Sequence, residues 1–316
     1  MLNLKPGFIE EVDHSVFTLY ADTDSSYQLV PLPFSKFEDQ HKTVDYTQKV
    51  ARLINNEFLK LFNETVVKHG GVNPKYVRMD FKSEVVAYRG FFNTKKNYAL
   101  AKIWDEGKYF TSPYIKKTGG QIVKSDSTPI ILDILTEIYE VLLLDFSITD
   151  EVQLYRKIFI DLKNKYIQRT KTSVQSFNLY DFGIPKKWGM KTLKTVPKQV
   201  QGAMLYNYLF ADSLRPGEGM VQIQVWINVS KLVQYMDSHP EQGGSKFQIT
   251  TDMVTDKLNV ISFPVDLTPD EIINIQKVFQ EIGIQFDINK IMEFNIIKKI
   301  EQFRKIFKPE TIRMAI

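Results

Sequence analysis

The chain has 316 residues, 43% of them hydrophobic, enough to bury a core and to form two domains. It contains no cysteine, which excludes disulfides and Cys-ligated zinc and suits a reducing compartment. Net charge is only +4, but residues 152–211 hold eleven Lys and Arg against two acids, Asp161 and Asp181, a local +9 that leaves −5 for the remainder.

The amino-terminal stretch lacks the apolar run of a signal peptide, and nothing approaches the ~18 apolar residues that span a membrane. A soluble, cytoplasmic protein without membrane contact is expected. Val16 to Ala21 reads as a buried strand, followed by Asp22-Thr23-Asp24-Ser25 and a second apolar run, Tyr27 to Val30. Strand, short polar turn and strand predict a hairpin with acidic residues at its tip. Over residues 43–69, Tyr46, Val50, Ile54, Phe58 and Leu61 share one helical face, and Gly70-Gly71 supplies the stop. Residues 76–104 read as further strands joined by a turn around Asn93-Thr94.

A domain boundary is expected near residue 119. Ser127-Thr128-Pro129 opens a helix through about Leu144, and Ser147-x-x-Asp150 resembles a capping-box start to another, carrying Tyr155, Phe159, Leu162 and Tyr166. Residues 171–202 read as irregular and lysine-rich. Val221, Ile223, Val225 and Ile227 alternate with Gln222, Gln224 and Trp226, the period of a strand. Thr268-Pro269-Asp270-Glu271 is a capping-box start to two closing helices. The expected fold class is therefore α+β: an antiparallel sheet with a packed helix, then a mainly helical part with a small β element.

Two carboxylates one residue apart at a hairpin tip, Asp22 and Asp24, can converge on one spot, and hard oxygen ligands suit Mg²⁺. An EF-hand is excluded, because that loop needs a third ligand at Ser26 and a glycine at Tyr27. A surface turn whose aspartates cap backbone amides remains the other reading. The basic stretch suits a polyanion-binding face, since each neutralised phosphate releases counterions; a solvated basic helix and loop gives the same count.

Tyr20-Ala21-Asp22-Thr23-Asp24-Ser25 resembles motif C of family B DNA polymerases, usually Tyr-Gly-Asp-Thr-Asp-Ser, with Ala21 as the one departure. Lys95-Lys96-Asn97-Tyr98-Ala99-Leu100 is similar to the Lys-Lys-x-Tyr motif of the same family. Gly119 through Pro129 resembles the palm-to-thumb passage of its large tailed-phage branch, and the stretch from Gln199 to Leu209 and the closing helices do so more loosely. The resemblance implies the second half of a palm over 1–119 and a thumb over 120–316. It implies that Asp24 is a principal Mg²⁺ ligand of a two-metal site, while Asp22 shapes the site and adds negative potential. It implies that Lys95, Lys96 and Tyr98 hold primer–template DNA without sequence preference, and that Lys186, Lys187, Lys191, Lys194 and Lys198 contact the duplex backbone. The family often carries two acids on the strand before the lysine motif; Asp80 and Glu84 are the candidates here.

Motif A, Asp-x-x-Ser-Leu-Tyr-Pro-Ser, and motif B, Lys-x-x-x-Asn-Ser-x-Tyr-Gly, do not occur, and only 21 residues precede Asp22. The resemblance therefore implies a chain inactive alone, completed by an amino-terminal polymerase chain that bears the exonuclease, motif A and fingers. Either a split polymerase subunit or a fragment fits, and Met1 just before the motif C strand favours the split gene. Deoxynucleoside triphosphates would be the substrates. A sliding clamp is a further partner of the family, but the end Thr311-Ile312-Arg313-Met314-Ala315-Ile316 lacks an evident clamp-binding peptide. A non-catalytic DNA-binding module derived from a palm and thumb is the alternative, although decay should have eroded Asp22 and Asp24 first. An unrelated metal-dependent nuclease leaves the lysine motif unexplained.

Overall fold

The computed structural model describes residues 18–22, 25–33, 35, 39–76, 82–94, 96–119, 127–189, 196–210, 213–242 and 245–315. It is an α+β chain whose contacts divide it into two compact units. One comprises Met1–Gly120 with Tyr139–Leu154, the other Gln121–Ile138 with Tyr155–Ile316.

In the first unit, β1 (Thr18–Asp22) and β2 (Ser25–Gln28) pair antiparallel and close at Asp22↔Ser25. This is the hairpin predicted from strand, polar turn and strand, but β1 is not the buried strand expected: Thr18 and Ala21 are exposed and Leu19 half-buried, since among the described residues β1 pairs only with β2. Val16, Phe17, Thr23 and Asp24 lie outside the described residues. Helix α1 (Gln40–Gly70) starts where the Asp39 carboxylate accepts the Lys42 amide at 3.1 Å. It ends at Gly71, whose φ of 64° is the left-handed cap that glycine adopts without a Cβ penalty. Its Gln40 side-chain amide donates to the carbonyls of Ile103 and Phe110, at 3.1 and 2.7 Å, anchoring the first turn to the sheet.

That sheet consists of β3 (Val85–Thr94), β4 (Asn97–Asp105) and β5 (Lys108–Thr118), antiparallel and in sequence order. Strand β4 is central, so Ala99, Leu100, Ala101 and Ile103 are buried. Val44 of α1 meets Val86 and Ile103, flanked by Tyr88, Trp104 and Tyr109. The expected sheet with a packed helix is present, but β5 went unread in the sequence because Pro113 and its charged ends masked the alternation. Further along α1 the predicted apolar face is not closed over: Ile54, Phe58 and Leu61 are 42%, 47% and 66% exposed.

The second unit has a small sheet of β6 (Ile184–Lys187), β7 (Gly219–Trp226) and β8 (Val260–Pro264) in that order, with β9 (Gln285–Phe286) pairing to the end of β7. Val221, Ile223 and Val225 face its core, as their alternation predicts. Helix α2 (Pro129–Leu143) begins as expected, with Thr128 accepting the Ile131 amide at 3.2 Å. Helix α3 (Glu151–Arg156) runs through a π-helical segment, Lys157–Leu162, into α4 (Lys163–Gln175). Its cap is Asp150, whose carboxylate accepts the Gln153 amide at 2.8 Å. Ser147 is not the cap; its hydroxyl is bonded to Asp145 at 2.5 Å instead.

The stretch 171–202 is more ordered than its composition suggests. It holds the end of α4, the one-turn α5 (Leu179–Phe182), β6, and the start of α6 (Lys198–Leu209). Burial of Leu179, Phe182, Ile184 and Val200 overrides the weak local signal of a lysine-rich loop. After α7 (Val229–Ser238), helix α8 (Pro269–Ile282) carries the full capping box, with the Thr268 amide donating to Glu271 at 2.7 Å and the Glu271 amide to Thr268 at 3.3 Å. The Thr268 amide and, at 2.8 Å, the Thr268 hydroxyl both donate to the Glu271 carboxylate and hold it below its ordinary value. The chain closes with α9 (Ile288–Met292), a second π-helical segment (Glu293–Ile297), α10 (Lys298–Glu301) and α11 (Pro309–Ala315). No described helix is long and apolar enough to cross a membrane.

Candidate functional site

Asp22 ends β1 as the last paired residue of the hairpin, and Asp24 falls in the connection outside the described residues. Among the described residues, no group of three His, Asp or Glu side chains could hold a metal ion.

The hairpin is tied to the lysine motif by three aromatic rings. The Tyr27 hydroxyl on β2 donates to the Tyr98 hydroxyl on β4 at 2.9 Å. The Tyr27 ring lies 5.4 Å from that of Phe92 and 5.2 Å from that of Tyr98, and Phe92 and Tyr98 stack at 5.6 Å. Such contacts add roughly 0.5–1.5 kcal/mol per pair beyond burial. Tyr27, two positions beyond the first motif, thus shares one cluster with Tyr98 of the second, 71 positions away. Sequence reading named Tyr98 but missed Tyr27 and Phe92; their only signal was an aromatic residue at a strand position beside each motif.

Between β3 and β4 the pairing ends at Thr94↔Asn97, with Lys96 in the turn, slightly later than Asn93-Thr94. Lys96 is exposed and holds a left-handed backbone, φ 58°, which a residue with a side chain adopts at a cost of roughly 1 kcal/mol or more. Lys95 and Asp80 lie outside the described residues. Glu84 is exposed and immediately precedes β3, its carbonyl accepting the Glu106 amide at 2.8 Å. It therefore stands at the opposite end of β3 from Phe92, roughly 26 Å along an extended strand.

In the second unit, Lys186 and Lys187 lie on the edge strand β6, opposite Met220 and Gly219. Lys187 is exposed and Lys186 half-buried. The intervening Trp188 is buried, edge-on to Phe247 at 5.9 Å, and its amide donates to Glu218 at 3.0 Å. Lys198 opens α6 and donates to the Asn259 side chain at 3.1 Å. Lys191 and Lys194 lie outside the described residues.

Part of the basic excess is internal. Arg169 meets the buried Asp181 through two nitrogens, at 2.5 and 3.1 Å, and Asp133 at 2.6 Å. The Asp181 and Asp133 contacts raise the Arg169 pKa, so this guanidinium stays charged. Lys165 reaches both Glu137 oxygens at 2.6 and 2.7 Å, and Tyr166 donates to the same carboxylate at 2.7 Å. Burial pushes the Glu137 carboxyl up, but those hydrogen bonds together hold it below its ordinary value. The same contact, added to burial, raises the Tyr166 phenol. Asp133 and Glu137 precede the basic stretch in sequence, so the local charge count overstates what a polyanion would meet.

No family model matches the chain, and no curated protein does. Among solved structures, the family B DNA polymerase from the hyperthermophilic archaeon Pyrobaculum calidifontis matches 79% of this chain at 13% identity and a TM-score of 0.42. The chain spans 25% of that polymerase.

Proposed function

We propose that this chain is the carboxyl-terminal palm-and-thumb part of a family B DNA-directed DNA polymerase, completed by a polypeptide that carries motifs A and B. The observation that carries the reading is the contact of the hairpin's second strand with the lysine motif: Tyr27, three residues after Asp24, bonds Tyr98 of Lys95-Lys96-Asn97-Tyr98 at 2.9 Å. The antiparallel hairpin ending at Asp22 supports it, because the chemistry needs adjacent carboxylates on a rigid tip.

Asp24 and Asp22 would hold Mg²⁺ together with ligands from the motif A segment. Bound Mg²⁺ supplies charge stabilisation at the attacking and departing oxygens of an in-line nucleotidyl transfer. Lys95, Lys96 and Tyr98 grip the primer–template through contacts common to all sequences, and Lys186, Lys187, Lys191, Lys194 and Lys198 extend that grip. Incubated with primed DNA, Mg²⁺ and four deoxynucleoside triphosphates, the chain alone should bind the duplex and extend nothing. Adding the motif A and B polypeptide should give extension that Asp24→Asn removes. Robust extension by the chain alone, or by the Asp24→Asn complex, overturns the reading.

A further inference from the structure

Gly119 follows β5 with a φ of 66°, and a Cβ built on it would lie 2.0 Å from the Lys96 carbonyl oxygen, 3.1 Å from its carbonyl carbon and 3.3 Å from the Asn97 Cα. All three are backbone atoms, so no side-chain rotation relieves the overlap. The pairs Tyr98↔Thr118 and Ala99↔Lys117 hold β4 against β5 up to the preceding residue, which prevents either strand from swinging away. Gly71 and Gly107 are also left-handed, yet a Cβ on either has nothing within 4 Å. Backbone freedom alone explains those two; Gly119 also supplies space. The atom it makes room for belongs to Lys96, itself left-handed and exposed.

We propose that Gly119 is a positioning residue for the DNA grip: its bare Cα lets the end of β5 press on the lysine turn and fixes the backbone from which Lys96 projects. This rests on the reading of Lys95-Lys96-Asn97-Tyr98 as a DNA contact. The test is a titration of primer–template duplex into the full chain across a salt series. Gly119→Ala should bind about tenfold more weakly, with the slope of log K against log salt reduced by about 1 to 2. Gly107→Ala carries the same kind of backbone strain without the overlap, and should keep the slope. On a Lys95→Ala/Lys96→Ala background, Gly119→Ala should have no further effect. If Gly119→Ala loses the sheet by circular dichroism, Thr118→Gly, which loosens the end of β5 without adding a Cβ, is measured in its place and should lower the slope in the same direction. Wild-type binding with an unchanged slope, or a loss fully additive to that of the lysine changes, overturns the positioning role. Wild-type binding by Lys95→Ala/Lys96→Ala would instead refute the DNA-contact reading, and the proposal with it.

Discussion

The apolar face of α1, in the first unit, and the apolar residues of α2 up to Ile138 and of the π-helical segment, in the second, meet different fates. Along α1 only Thr43 and Val44 are buried, and Leu53 and Leu61 stand 67% and 66% exposed. In the second unit Ile130, Ile131, Ile134, Leu135 and Ile138 of α2 and Ile158 of the π segment are all at 2% exposure or less. Its aromatic residues continue the core, with Phe279 meeting Phe177, Phe263 and Phe286 at 5.8–6.3 Å. At about 25 cal/mol per Å², uncovered side chains of this size forgo a large part of the stabilisation that burial would give. Among the described residues, the apolar side chains of α2 up to Ile138 are covered, whereas those along α1 beyond Val44 are largely exposed.

The sharpest way to break this contrast is to damage the first unit's chemistry while sparing its fold. In a complex with the motif A and B polypeptide, Asp24→Asn should slow synthesis about a thousandfold, on the order of 4 kcal/mol, with an unchanged melting temperature. Asp22→Asn should slow it less. Equal, wild-type rates for both would remove motif C from the site.

The converse holds for the second unit. Arg169→Ala leaves the Asp181 side chain, 8% exposed, without its bidentate partner, and should destabilise that unit by about 3 kcal/mol in chemical unfolding. A loss below about 1 kcal/mol would mean that Ser173, already bonded to Asp181, suffices as a partner.

Hydrogen exchange sharpens the comparison without any substitution. In the chain alone, β1, which among the described residues pairs only with β2, should exchange at least tenfold faster than α2, about 1.4 kcal/mol in local stability. Adding the motif A and B polypeptide should protect residues 18–22 and leave α2 unchanged. Slow exchange of β1 with and without that polypeptide would show a self-sufficient first unit.

The smallest effect is one of pH. Glu137 is held below its ordinary carboxyl value of 4.5, so its contribution is complete above that pH and fades as the pH falls through the lowered folded value. The stability gap between the wild type and Glu137→Gln, about 1 kcal/mol at pH 7, should therefore close as the pH falls below the ordinary value of 4.5. A gap independent of pH would assign the cluster's stability to packing of Tyr166 alone.

Much of this was legible in neighbouring residues. Thr128-Pro129, Thr268 to Glu271 and Gly71 mark helix ends because each cap is made within five positions. The β1–β2 hairpin and the alternation in β7 follow from side chains that must face opposite sides of a strand. The motif residues Asp22, Lys96 and Tyr98 were legible as a string, and the string also supplied the functional proposal. Asp150 rather than Ser147 as a cap was a closer matter, since both are good capping residues and Ser147 found a nearer acceptor in Asp145.

What lay beyond local chemistry depends on partners far away in sequence. The pairing of Tyr27 with Tyr98 and the neutralisation of Lys165 and Arg169 by Glu137 and Asp133 each join residues more than ten positions apart. No propensity within one segment encodes such a choice, because the energy belongs to the pair. Exposure of the α1 stripe is the same lesson inverted: 3.6-residue periodicity says that a face is apolar, and only the tertiary structure says whether anything covers it.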